Sequence, residues 1–387
     1  MIRNISVGID IGTLTTRVVV GEFLKGEKNP KIIGIGESET KGMRHGYVIH
    51  IPDAVSSLKN ALTMAEKTSG IKIKRAFVSI GGTTLRSQIG SGTAVISKAD
   101  SEVTSLDINK ALEESESNLS LGNKKIIYVS PISFRLDGKE VLGRPEGMHG
   151  NKLEIKAIFV TSSLKHWENL MEVVTEAGVE PIDVIVSNLA GSFVALSGRQ
   201  KMVGTALIDI GAETVSLGVF ENESLISLHT FSIGSSDITN DIALGLKIPL
   251  EKAESFKMGN NGEEYSRKKL EEIVEARLSD IFELIEIHLK KIKRSELLPA
   301  GVVFIGGGAN TSRLDELSKV VLKLPSKIGI TEIFGNMKTK LRDPSWYVVL
   351  GLVTSSKNIK SYADGSFPSF FKDLKNALKS MLKQLMP

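Results

Sequence analysis

Apolar and polar positions alternate in a way that sorts the chain into strands and helices. Residues Ser6 to Val20 place two β-branched runs on either side of a Gly/Thr turn, which predicts an antiparallel hairpin. Val55, Leu58, Leu62 and Ala65 recur at helical spacing, so a helix is expected over Asp53–Ser69 with Asp53 as its N-cap. Arg75–Ile80 is a predicted strand that stops at Gly81-Gly82. Residues 83 to 162 are strand-rich with one helix: Asp107–Asn118 is helical, and Lys125–Phe134 and Leu153–Thr161 are extended. A helix over Leu164–Ala177, closed by Gly178, a buried strand over Pro181–Val186 and a helix over Leu189–Leu196 follow. A second strand-turn-strand opens at Thr205. Ser266–Lys293 is a long charged helix with an apolar stripe of Leu270, Ile273, Val274, Leu278, Ile281, Leu284, Ile285 and Leu289. The strand Gly301–Ile305, a triple-glycine turn and a helix over Ser312–Val321 complete the pattern. Ser355–Ser366 is polar and aperiodic and reads as a linker. Strands alternating with helices across Gly-rich turns indicate α/β architecture.

The last segment has a different pattern. On a helical wheel Phe367, Phe370, Phe371, Leu374, Ala377, Leu378, Met381, Leu382 and Leu385 fill one arc of about 140°, and Lys372, Lys375, Lys379 and Lys383 lie opposite. Phenylalanine and leucine facing lysine describes a helix lying in a membrane interface, where each lysine draws anionic lipid by about 1 kcal/mol. Charge agrees. The net +4 of the 387 residues comes from residues 357–387, which hold six lysines and two aspartates. The rest of the chain sums to zero, so a folded basic face for nucleic acid is not expected. There is no cysteine, which removes disulfide scaffolds, cysteine nucleophiles and thiolate metal sites. No histidine spacing suits zinc. No apolar run approaches the ~18 to 20 residues of a spanning helix, and the N-terminus lacks a secretory pattern, so a cytoplasmic protein is expected.

Candidate chemistry comes from an internal echo. Residues 7–21 and 206–220 overlay, with Ile9, Asp10, Ile11, Gly12, Thr15 and Val20 recurring as Ile208, Asp209, Ile210, Gly211, Thr214 and Val219. One Asp-x-Gly turn is ordinarily only a turn. Two in register point to two similar lobes gripping a phosphate chain. Gly12 and Gly211 let amides approach an oxyanion, and threonine hydroxyls add donors. The phosphate-binding candidates are therefore Asp10, Gly12, Thr13, Leu14, Thr15 and Thr16 in one loop, and Asp209, Gly211, Ala212, Glu213 and Thr214 in the other. Asp10 and Asp209 would repel phosphate themselves and are expected to hold a hydrated Mg²⁺. A third element, Val302 to Ile305 running into Gly306-Gly307-Gly308-Ala309 and on to Arg313, can bring backbone against an adenine or ribose.

At these three elements the chain resembles the superfamily of actin, sugar kinases and 70-kDa heat-shock chaperones, as its first phosphate, second phosphate and adenosine motifs. Within it the chain resembles the FtsA family, the bacterial cell-division actin homologues, over nearly its whole length. Gly42-Met-Arg-His-Gly46-x-Val, Val78-Ser-Ile-Gly-Gly82 and Arg144-Pro-Glu-Gly147-Met-His-Gly150 carry that likeness, as do the segments beginning at Ile233-Gly234 and Ala253-Glu254-x-x-Lys257. The resemblance implies an actin-like ATPase fold with two lobes around a nucleotide cleft, a small inserted α+β subdomain and a C-terminal amphipathic helix. It implies adenosine contacts from Gly234, Glu254, Lys257, Gly306, Gly307, Gly308, Ala309 and Arg313, with ATP and Mg²⁺ as ligands. The domain boundaries it suggests are 1–82 and 163–200 for subdomain 1A, 83–162 for the insert 1C, 201–240 for the first part of 2A, and 301–354 for its second part and the return to 1A. Subdomain 2B spans 241–300, the linker 355–366 and the membrane helix 367–387. Its implied partners are the C-terminal peptide of tubulin-like FtsZ at 2B, anionic lipid, further copies in a filament, and other division proteins through 1C. The place implied is the cytoplasmic face of the membrane at the division site.

The second loop departs from the superfamily's Asp-x-Gly-Gly-Gly-Thr. Glu213 facing a γ-phosphate would repel it, and the helix after Ser187 offers no carboxylate to orient water. At most weak ATPase activity is expected. A pilus-assembly protein of the PilM type shares the Asp-Ile-Gly-Ala wording but generally lacks the lipid-seeking tail. A sugar or small-acid kinase would need a catalytic base and a substrate domain, which residues 83–162 look too short to supply.

Overall fold

The computed structural model describes residues 4–27, 29–259, 266–331 and 339–363. The membrane-helix expectation for 367–387 lies outside them. The chain divides into two compact units. The larger comprises Met1–Gln88, Leu121–Ser130 and Ile158–Val353; the smaller is built on Ile89–Ser120 and Pro131–Ala157.

The larger unit contains the same sheet twice. In its first lobe β1 (Asn4–Ile11), β2 (Thr15–Phe23) and β3 (Lys31–Glu39) form an antiparallel meander. A small ribbon, β4 (Met43–Arg44) and β5 (Tyr47–Val48), precedes the helix α1 (Ile51–Ser69). The strand β6 (Arg75–Ile80) then lies parallel to β1. The remaining strand of this sheet, β11 (Glu180–Val186), is parallel to β6, giving the order β11-β6-β1-β2-β3. In the second lobe β12 (Thr205–Ile210), β13 (Val215–Glu221) and β14 (Ser224–Phe231) repeat the meander. Parallel β15 (Val302–Ile305) and β16 (Ser326–Ile328) repeat the other side, in the order β16-β15-β12-β13-β14. The internal echo is thus a duplicated topology.

Helices cover these sheets where side chains permit close approach. A Cβ on Gly36 of β3 would fall 1.9 Å from the Ala61 carbonyl of α1, so only glycine lets that helix settle. The helices α3 (Leu164–Glu176), α4 (Ser187–Ala195) and α5 (Gly198–Val203) lead from one lobe to the other. Beyond β14 come α6 (Ser235–Leu246), α7 (Leu250–Lys257) and α8 (Arg267–Lys291). The hydroxyl of Ser266 caps α8 by accepting from the Lys269 amide. After β15, Gly307–Asn310 forms a 3₁₀ turn ahead of α9 (Leu314–Leu322), and α10 (Tyr347–Ala363) ends the described chain.

The smaller unit packs α2 (Ser105–Ser117) on β9 (Lys139–Val141) and on its own portions of β7 (Arg86–Val95), β8 (Lys124–Leu136) and β10 (Lys152–Ser163). Those strands are ordered β7-β10-β8-β9, and Ile96, Val103, Ile108, Phe134, Leu136, Leu153 and Ile155 are among the residues of the core. Thr104 and Asp107 form a reciprocal capping box at the start of α2.

Four expectations need correction. α1 starts before Asp53, with His50 at its N-cap and Pro52 in its first turn; proline's fixed φ and missing N–H suit that position. The strand at Pro181 is an edge strand, and only Ile185 and Val186 within it are buried. Leu284 is 37% exposed, while Phe282 takes its place in the buried stripe of α8, because 278, 281, 282, 285 and 289 share a face that 284 leaves. The predicted linker is helical as far as Ala363. No glycine or proline interrupts Leu352 to Ala363, and polar residues without periodicity do not by themselves break a helix.

Candidate functional site

Two four-residue tips, Gly12–Thr15 and Gly211–Thr214, project from the ends of the equivalent hairpins. The β1–β2 and β12–β13 ladders stop at Ile11–Thr16 and Ile210–Val215, leaving both tips outside those ladders. The same hydrogen bond closes each. Gly12 N donates to Thr15 O at 3.1 Å, and Gly211 N donates to Thr214 O at 2.8 Å. Gly306 and Gly308 lie against the second loop. A Cβ on Gly306 (φ 86°) would fall 2.3 Å from Asp209 Oδ1, and one on Gly308 would fall 2.3 Å from the Ile210 side chain. The first turn of α6 is tied there too, Ser235 N donating to Gly211 O and Ser236 N to Ala212 O at 2.9 and 2.8 Å.

Asp10 and Asp209 end the two first strands and feel each other's charge. Burial pushes the Asp209 carboxyl up to about 7, the charge of Asp10 adds to the rise, and Arg17 opposes it. Asp10 is also raised by burial, against a 2.5 Å hydrogen bond from Ser79 and the charge of Arg17. Two crowded hard-oxygen ligands, short of positive charge, suit a cation such as Mg²⁺ that keeps most of its waters. Among the described residues no group of three or more His, Cys, Asp or Glu side chains converges as a metal cage.

The ribbon turn between β4 and β5 joins the loops. Gly46 N donates to Thr13 Oγ1 at 2.9 Å, and His45 N donates to Glu213 Oε2 at 2.6 Å. Here Glu213 is hydrogen-bonded across the lobes, so its carboxylate already has a backbone donor. His45 Nδ1 lies 3.2 Å from Glu213 O. A Cβ on Gly46 would meet Gly82 at 2.5 Å, which seats the turn on the end of β6. Behind it Tyr47 stacks on His166, whose burial lowers its pKa to about 4 and keeps it neutral.

Other candidates are placed differently. Thr16 is fully buried, with its hydroxyl 2.7 Å from that of Thr40. The Leu14 side chain is 57% exposed, and its carbonyl accepts from Thr40 N. Gly234 N donates to Asp237 Oδ2 beside the second loop. The buried Lys257 ammonium reaches Ser235 O, Thr239 Oγ1 and Glu254 Oε2 at 3.2, 2.9 and 2.7 Å, which uses its three donors. It ties α7 to the helix that leaves the second loop. Arg313, with φ 60°, pairs with Glu275 of α8 and lies 3.4 Å from Glu316.

Sequence reasoning passed over Ser79, Arg17 and the role of His45-Gly46. Ser79 and His45 sit inside motifs quoted for a family likeness, so the signal was present without a function. Arg17 follows the first loop by one strand residue and is the cross-strand partner of Asp10.

A five-strand arrangement that occurs twice, with a matching loop at the tip of its first hairpin each time, defines an actin-like α/β protein. Among solved structures the chain is similar to the PilM-PilN type IV pilus biogenesis complex, with TM-score 0.67 and 16% identity over 90% of this chain and 97% of that one. It is also similar to MreB5 of Spiroplasma citri bound to ADP, with TM-score 0.54 and 14% identity over 93% and 98%. These likenesses concern the fold.

The chain belongs to the FtsA family of cell division proteins. The family model "Cell division protein FtsA" matches residues 206–351, and "SHS2 domain inserted in FTSA" matches residues 82–161. The cell division protein FtsA of Streptococcus pneumoniae serotype 2 is 30% identical over 84% of this chain and 76% of its own length. That of Bacillus subtilis is 29% identical over 91% and 83%. That of Pseudomonas aeruginosa is 28% identical over 90% and 88%. The pilus alternative rests on fold alone and is not favoured. Among the described residues no helix is long and apolar enough to cross a membrane.

Proposed function

We propose that this chain binds ATP with Mg²⁺ between its two loops and works as an actin-like adaptor that tethers an FtsZ ring to the membrane. The observation that carries the nucleotide reading is the matched pair of tips, each closed by the same hydrogen bond, with Asp10 and Asp209 at their roots. The tips would hold the phosphates by backbone amides, Asp10 and Asp209 would hold the hydrated metal, and Gly306–Gly308 would face the adenosine. The metal would supply positive charge to offset that of the phosphates. Glu213, bonded to His45, adds negative charge near the phosphates and supports weak hydrolysis at most. The relative from Spiroplasma citri carries ADP in its solved structure, which supports a nucleotide here.

The membrane reading rests on the segregated wheel of 367–385. One such helix binds lipid weakly, and many on a filament bind by avidity, with gains of about 10² to 10⁴. FtsZ binding at 2B, self-association into filaments and partners for the inserted subdomain follow from the family. Calorimetric titration with ATP, with and without Mg²⁺, tests the site; saturable, Mg²⁺-dependent heat supports it and none rejects it. Co-pelleting with anionic liposomes tests the tether. Removal of 367–387 should abolish pelleting, and unchanged pelleting would reject that role.

A further inference from the structure

Beside the first loop, two cations share one aromatic seat and one carboxylate. Arg17 places its guanidinium carbon 5.3 Å from the centre of the Trp346 ring, and Lys340 Nζ is also 5.3 Å from that centre. Trp346 is only 2% exposed, so the ring is a fixed surface. Glu37 serves both cations. Its Oε1 is 3.2 Å from Arg17 Nε, and its Oε2 is 2.5 Å from Lys340 Nζ. The Arg17 contact is an ion pair without hydrogen-bond alignment, so Nε is a buried N–H with no acceptor. Arg17 is the cross-strand partner of Asp10, one residue past the strand entry at Thr16. Its charge reaches Asp10 and Asp209.

We propose that Arg17 exchanges partners when a nucleotide arrives, leaving Glu37 for the phosphate chain, while Trp346 and Lys340 keep the seat. The proposal rests on the nucleotide reading and adds a positioning role for Glu37 and Trp346. A guanidinium with an unsatisfied N–H already facing a carboxylate at poor angle gains alignment from a phosphate, which presents more oxygens and more charge. Glu37 competes with that phosphate for both cations. In the free protein it keeps Arg17 ordered against the ring, which limits the rotamer freedom lost on binding.

The test combines nucleotide titration with emission from Trp346 in W167F protein, where it is the remaining tryptophan. ATP with Mg²⁺ should change that emission, inorganic triphosphate should reproduce the change, and adenosine should not. Glu37→Gln removes the competing charge while keeping the side chain's shape, and should tighten ATP by about threefold to tenfold. Arg17→Lys keeps the charge but loses the fork, and should weaken ATP at least about fivefold and diminish the emission change. Unfolding curves for both variants show whether the fold is kept. ATP binding with silent Trp346 emission, an emission change driven by adenosine, or unaltered affinity in folded E37Q overturns the partner exchange alone. No ATP binding by wild-type protein overturns the nucleotide reading and this proposal with it.

Discussion

Asp209 carries the most informative single charge in the molecule. Its folded pKa, about 7, lies above its ordinary 3.8 because burial and Asp10 penalise the anion. Between those values the folded state holds a proton that the unfolded state has lost, so this group lowers stability as pH rises from about 4 to about 7. Above that window the penalty is complete. Asp209→Asn should therefore be more stable than wild type at pH 8 without nucleotide or metal, by on the order of 4 kcal/mol, and the gain should vanish near pH 4. Urea unfolding at the two pH values checks this. Glu213 gives a second residue-scale expectation. Glu213→Ala deprives the His45 amide of its acceptor and should cost about 1–2 kcal/mol, whereas Glu213→Gln can still accept and should cost less than about 1 kcal/mol. Thermal denaturation of the two variants separates them. At this scale Asp10, Gly12, Asp209 and Gly211 were legible because the motif occurs twice. Thr16 is a buried strand residue beside Thr40, and a strand's pleat sends alternate residues to opposite faces, which loop membership alone does not report. The ties of Glu213 to His45 and of Asp10 to Ser79 span 168 and 69 residues, and no local pattern reports such distances.

At the scale of elements, caps and glycines decide where helices begin and how closely they lie. Asp107 is fully buried at the head of α2 and is bonded by Thr104 N, Thr104 Oγ1, Ser97 N and Ser97 Oγ. Burial alone would raise its pKa; the bonds from Thr104 and Ser97 outweigh it and hold the carboxyl below its ordinary range. Its stabilising effect is present above about pH 4 and disappears as pH falls through the lowered value. Asp107→Ala should cost about 2–3 kcal/mol, read as faster amide exchange across 105–117. Gly351 of α10 makes a helix contact as close as that of Gly36: a Cβ there would fall 1.9 Å from the Ala190 carbonyl of α4. Gly351→Ala should destabilise by about 2 kcal/mol or more, visible as a lowered urea midpoint. Helices and strands were largely readable from periodicity. The start of α1 is not, because proline in the first turn suits the helix entry ahead of Asp53, and the helix over the expected linker at 355–363 is not, because polar residues without glycine or proline do not stop a helix.

The larger unit carries one strand arrangement twice, in the matching orders β11-β6-β1-β2-β3 and β16-β15-β12-β13-β14. That duplication explains why a fifteen-residue echo foretold so much. Two hairpins of the same make, set at the ends of equivalent strands, bring two loops and two aspartates together. Approaches between residues far apart in the chain, such as Gly306 against Asp209 within the second lobe and His45 against Glu213 between the lobes, appear only in three dimensions.

The crystal structure of the protein grown with saturating ATP and Mg²⁺ is the most direct test. A triphosphate lying between Gly12–Thr15 and Gly211–Thr214, with a metal ion held through water by Asp10 and Asp209, is the expected result. A crevice without nucleotide under those conditions, or nucleotide bound elsewhere on the chain, would contradict it.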